Sequence, residues 1–84
     1  MTVTGHLQDL YIDDYGEVHV TLRTDNQERE LTLPAVVIEE MRATDLLRGD
    51  RLNPERFGGE FEVKRWVQWR YGGSTSTWHQ REVG

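Results

Sequence analysis

Phe61-Glu62-Val63-Lys64-Arg65-Trp66-Val67-Gln68-Trp69-Arg70-Tyr71 is the stretch around which the rest of the chain can be organised. Phe61, Val63, Val67, Trp69 and Tyr71 fall on one parity; Glu62, Lys64, Trp66, Gln68 and Arg70 fall on the other. Strict alternation of this kind is expected of a strand packed on a core on one side and wet on the other. The reading is one long final strand. Two residues break it, because Arg65 sits on the apolar parity and Trp66 on the polar one.

Outward from that stretch, Val3-Thr4-Gly5-His6-Leu7-Gln8-Asp9-Leu10-Tyr11-Ile12 reads as a long first strand. Val3, Gly5 and Leu7 share one parity and Leu10 and Ile12 the other, so a bulge or coil is expected near Gln8-Asp9. Asp14-Tyr15-Gly16 suits a three-residue hairpin loop with Gly16 left-handed, which sets Ile12 against Val18 and Leu10 against Val20. The second strand runs from Glu17 to Arg23. With a polar turn over Asp25-Asn26-Gln27-Glu28, Leu22 would face Leu31, Val20 would face Leu33, and Arg23 would face Glu30. A three-stranded meander follows from these matched faces.

Pro34 ends the third strand and suits the first turn of a helix through Ala35–Arg42, with Met41 and either Val37 or Ile38 facing the sheet. Asp45 to Gly49 reads as a further helical turn, Asp50-Arg51-Leu52 as a short fourth strand, and Asn53 to Gly59 as a loop. From Gly73 the small polar residues Gly73-Ser74-Thr75-Ser76-Thr77 read as a flexible tail, so the domain is placed at 1–72 and the tail at 73–84. The expected class is mainly β: a small five-stranded barrel with one short helix between strands 3 and 4. That order resembles the OB-fold in arrangement, with an SH3-like small barrel as the near alternative; the likeness is architectural, and such folds carry many functions.

Composition narrows the chemistry. The chain has 84 residues and no cysteine, which removes disulfides, thiolate metal sites and thiol nucleophiles. No run approaches the length of a membrane span, and a soluble cytoplasmic protein with no membrane association is the expectation. The net charge of −5 opposes broad binding to phosphate backbones. Ser74 and Ser76 lie in the presumed tail with no oriented base, the histidines His6 and His19 are far apart, and the acids Asp9, Asp13, Asp14 and Glu17 match no calcium-loop spacing. No enzyme, metal site or cofactor is expected.

The candidate binding residues are Trp66, Lys64, Arg70 and Gln68, an aromatic ring among cations on the wet face of the last strand, with Tyr11, His19 and the tail residue Trp78. Such a face fits a protein-binding hot spot, where Trp and Arg are enriched, and also a platform for stacking single-stranded bases. Because the chain is acidic, the expected function is a non-enzymatic protein-interaction module, a small adaptor or inhibitor that blocks a basic partner surface. Single-stranded nucleic-acid binding is the alternative.

Overall fold

The computed structural model describes residues 2–64 and 68–77. Among these residues the fold is mainly β and antiparallel, with eight strands: β1 (Thr2–Ile12), β2 (Val18–Thr24), β3 (Gln27–Leu33), β4 (Leu47–Arg48), β5 (Arg51–Leu52), β6 (Glu60–Lys64), β7 (Gln68–Tyr71) and β8 (Ser74–Thr77). Among the same residues there is one short helix, α1 (Ile38–Ala43), which follows a 3-10 turn at Ala35–Val37; a second 3-10 turn spans Pro54–Arg56. The main path runs β3-β2-β1-β6-β7-β8, and the small β4–β5 hairpin joins through β5 to β1.

β1 is the spine. Its first half pairs with β6, from Thr2↔Lys64 to His6↔Glu60, while its other edge pairs with β2. The switch of parity has the predicted cause: register jumps between Leu7 and Asp9, so Gln8 is the extra residue of a bulge. Val3, Gly5 and Leu7 therefore point inward before the bulge and Leu10 after it. The first hairpin also forms as predicted, with Ile12↔Val18, Leu10↔Val20 and Gly16 at φ 85°.

The second hairpin differs by a slip of two residues. Val20 faces Leu31 and Val18 faces Leu33, whereas Leu22 faces Arg29 and Arg23 faces Glu28. Its turn uses only Asp25-Asn26, with Asp25 at φ 44°. A slip of two leaves every side chain on its own face, so matched parity could not distinguish the two registers.

After Pro34 the chain turns into the helix as expected, and Val37 and Met41, four residues apart, are both fully buried. Residues 45–49 do not make another helical turn. Asp45 adopts φ 65°, the Leu46 N–H donates to Met41 O (2.9 Å) and the Asp45 N–H to Arg42 O (3.1 Å). This is a Schellman C-terminal motif, with the buried pair Leu46 and Met41 as its apolar contact. Asp45 thus stops a helix rather than starting one. Gly49 (φ 72°) and Asp50 then form the turn between β4 and β5.

The long final strand is two strands. β6 and β7 pair antiparallel through Phe61↔Tyr71, Val63↔Trp69 and Lys64↔Gln68. The two residues that broke the alternation, Arg65 and Trp66, lie in the connection 65–67, outside the described residues. An odd-numbered connection returns a hairpin on the same parity, so Phe61, Val63 and Trp69 are buried together just as one strand would place them. The Phe61 and Trp69 rings stack at 5.8 Å and 7°.

The tail boundary also moves. Gly72 (φ 53°) and Gly73 (φ 88°) form a two-residue turn, and Ser74–Thr77 pair with β7 as β8, so part of the segment assigned to a flexible tail is a strand. The five-stranded barrel is likewise not the observed arrangement. Among the described residues the sheet is open, with β3 at one end of the path and β8 at the other.

Among the described residues one polar residue is fully buried. Asn53 donates from Nδ2 to Asp45 O (2.9 Å), accepts at Oδ1 from the Glu55 N–H (3.1 Å) and donates its backbone N–H to Leu46 O (2.8 Å). It ties the helix terminus to the loop before β6.

Candidate binding surface

The outer face of the sheet carries the candidate residues in two separate groups. Lys64 and Gln68 are register partners, beside Thr2 on β1. One row further, Arg70 faces Glu62, and its Nη2 donates to Glu62 Oε2 at 3.3 Å. Tyr11 lies nine positions beyond Thr2 on the same strand, about 30 Å of extended chain. Trp66 and Trp78 lie outside the described residues. Tyr11 and His19 therefore do not extend the Lys64–Gln68–Arg70 surface, and within that surface Glu62, on the same parity, engages Arg70.

Tyr11 and His19 belong to the base of the first hairpin. Their rings stack with centroids 4.9 Å apart and planes 12° from parallel. Asp13 organises the same corner: its Oδ2 lies 2.6 Å from His19 Nε2, and its Oδ1 accepts from the N–H groups of Tyr15 (2.8 Å) and Glu17 (2.9 Å). The hydrogen bond from His19, followed by that from the Glu17 N–H, holds the Asp13 carboxyl below its ordinary pKa. An aspartate–histidine pair can orient an imidazole for proton transfer, but here the carboxylate's other bonds close the turn and the ring is stacked on Tyr11. The arrangement accounts for the hairpin's geometry without invoking a reaction. Among the described residues no group of three or more His, Asp or Glu side chains is placed to hold a metal ion, and no helix is long and apolar enough to cross a membrane.

The acidic part of the molecule gathers elsewhere. On β3, Gln27, Glu28, Arg29 and Glu30 are all exposed, and so is Thr32. Glu28, Glu30 and Thr32 share the outer face with Arg23, Thr21 and His19 of β2, and the row Glu30–Thr21–Asp9 contains no cation. Arg29 has the parity of the buried Leu33 yet is itself exposed, so burial on the inner side of β3 fades toward its start. The helix that follows adds Glu39 and Glu40, which with Val36 and Ala43 line an open groove of about 340 Å³.

The role of β3 as an edge was missed in the sequence. Its signal was legible: Glu28-Arg29-Glu30 puts a charge on the inward parity as well as the outward one, which a strand covered on both sides does not tolerate. No family model, no curated protein and no solved structure matches this chain. The functional reading therefore rests on geometry and charge.

Proposed function

We propose that this chain is a non-catalytic protein-interaction module that offers an acidic docking side to a basic partner surface. The observation that carries the reading is the exposed edge strand β3, with Glu28 and Glu30 on its outer face and the uncompensated row Glu30–Thr21–Asp9 behind it. Two cations stand nearby. Arg23 is in register with Glu28 and offsets part of its charge, whereas Arg29 belongs to the opposite face. With a chain total of −5, the long-range field also favours a cationic partner over a polyanion. Base stacking on the β6–β7 hairpin is the weaker reading, because Glu62 engages Arg70 where a phosphate would have to be held. The docking reading does not depend on whether the sheet closes into an OB-like or SH3-like barrel.

Fluorescence anisotropy with a labelled Lys/Arg-rich peptide and a labelled mixed-sequence single-stranded DNA tests the proposal. Salt-sensitive peptide binding is expected, reduced at least tenfold by Glu28→Lys/Glu30→Lys and little affected by Glu39→Gln/Glu40→Gln. No DNA binding is expected at low micromolar protein. DNA binding, or peptide binding that ignores the β3 substitutions, would overturn it.

A further inference from the structure

The open edge of β3 has a defined hydrogen-bonding pattern. The two-residue turn at Asp25-Asn26 makes Thr24↔Gln27 the hydrogen-bonded pair that closes the hairpin. Pairs alternate along an antiparallel ladder, so Arg29, Leu31 and Leu33 spend their backbone groups on β2, and Glu28, Glu30 and Thr32 direct theirs away from it. Among the described residues no strand takes up those outward groups. The residues whose backbones face outward are therefore also those whose side chains stand on the outer face, and two of the three are glutamates.

We propose that β3 is a strand-addition site: an extended segment of the basic partner pairs with its open edge, placing Lys or Arg at alternate positions opposite Glu28 and Glu30. The inference rests on the acidic docking side proposed above and specifies how that side is used. Main-chain hydrogen bonds would supply sequence-independent affinity, and cross-strand ion pairs every second residue would set register. A second copy of this chain fits the edge poorly. Antiparallel self-pairing centred on Glu28, Arg29 or Glu30 puts glutamate opposite glutamate, and pairing centred on Leu31 runs into Pro34, which cannot donate. Arg29 on the inner parity guards the edge further against apolar strands. The same charges that suppress self-association thus select a strand of opposite charge with period two.

The test uses two peptides of identical composition, one alternating Lys and Thr over eight residues and one with the lysines and threonines in separate blocks. The alternating peptide is expected to bind at least tenfold more tightly and to slow amide exchange of Glu28, Glu30 and Thr32 while leaving Arg29 and Leu31 unchanged. Thr32→Pro, which removes an outward donor and keeps both glutamates, is expected to weaken binding several-fold with an otherwise native amide spectrum. Should that variant fail to fold, an alternating peptide N-methylated at every second residue tests the same hydrogen bonds and is expected not to bind. Equal binding of the two peptides with unprotected edge amides would refute strand addition and leave the acidic docking side standing. Binding of neither peptide would refute both. Edge amides already protected without peptide, in a protein that sediments as a dimer, would assign the edge to a second copy and overturn the proposal.

Discussion

Asn53→Asp changes one buried atom and produces a pH-dependent loss of stability. The side chain is fully buried; its Oδ1 caps Glu55 and its Nδ2 donates to Asp45 O at 2.9 Å. The substitution keeps shape and the capping acceptor but turns the donor into an oxygen facing a carbonyl oxygen. When ionised it is an uncompensated buried charge, a defect worth roughly 3–5 kcal/mol. When protonated, the introduced carboxyl can again donate to Asp45 O, and the cost falls to about 1 kcal/mol. Burial raises the folded-state pKa above the unfolded value near 3.9. Between those two values the folded variant binds more protons than the unfolded chain, so its stability declines as pH rises, by at most about 1.4 kcal/mol per pH unit. Urea melts of both proteins from pH 4 to pH 7 should show a stability gap that widens by about 2 kcal/mol with increasing pH. Asn53→Ala, which removes the cap and the second bond without adding charge, should cost about 2–3 kcal/mol at every pH in that range. A gap for Asn53→Asp that stays flat with pH, or narrows toward neutrality, would refute the assigned hydrogen bonds.

Asp45 sits at φ 65° in the Schellman motif, so Asp45→Gly should stabilise by about 0.5–1 kcal/mol, a rise of a few degrees in thermal midpoint. A Cβ at Gly59 would lie 2.3 Å from the Tyr71 ring, whose hydroxyl donates to Arg56 O at 2.6 Å; Gly59→Ala should cost about 1–3 kcal/mol in urea melts and shift the Tyr71 ring resonances. Asp13 has a lowered folded pKa, so its contribution is present above the ordinary value of 3.8 and lost as pH falls through the folded value. The Tyr15 and Glu17 amide resonances should therefore move in that acid limb, and Asp13→Asn should abolish the movement. Trp69, 3% exposed and stacked on Phe61, should cost roughly 3–5 kcal/mol when truncated to Ala, read from the urea midpoint.

The sequence by itself determined which side of the longer strands is buried. Val18, Val20 and Leu22, then Phe61, Val63 and Trp69, are inward by parity alone, because a period of two is a property of the extended backbone. The bulge at Gln8, the Gly16 turn and the helix after Pro34 were also legible, since each is fixed by local backbone chemistry. Parity is silent about translation by two residues and about reversal through an odd-numbered connection. For that reason the β2–β3 register and the division of residues 61–71 into β6 and β7 were decided only by the folded chain. The clues were present but local: two misplaced residues at Arg65-Trp66, and the Gly72-Gly73 pair that marks the turn into β8. The candidate surface was the least legible part. Whether Arg70 is met by Glu62 and whether Tyr11 lies near Lys64 depend on which strands become neighbours. Neighbours are chosen by burial and chain closure over the whole domain, and no short stretch of sequence contains that choice.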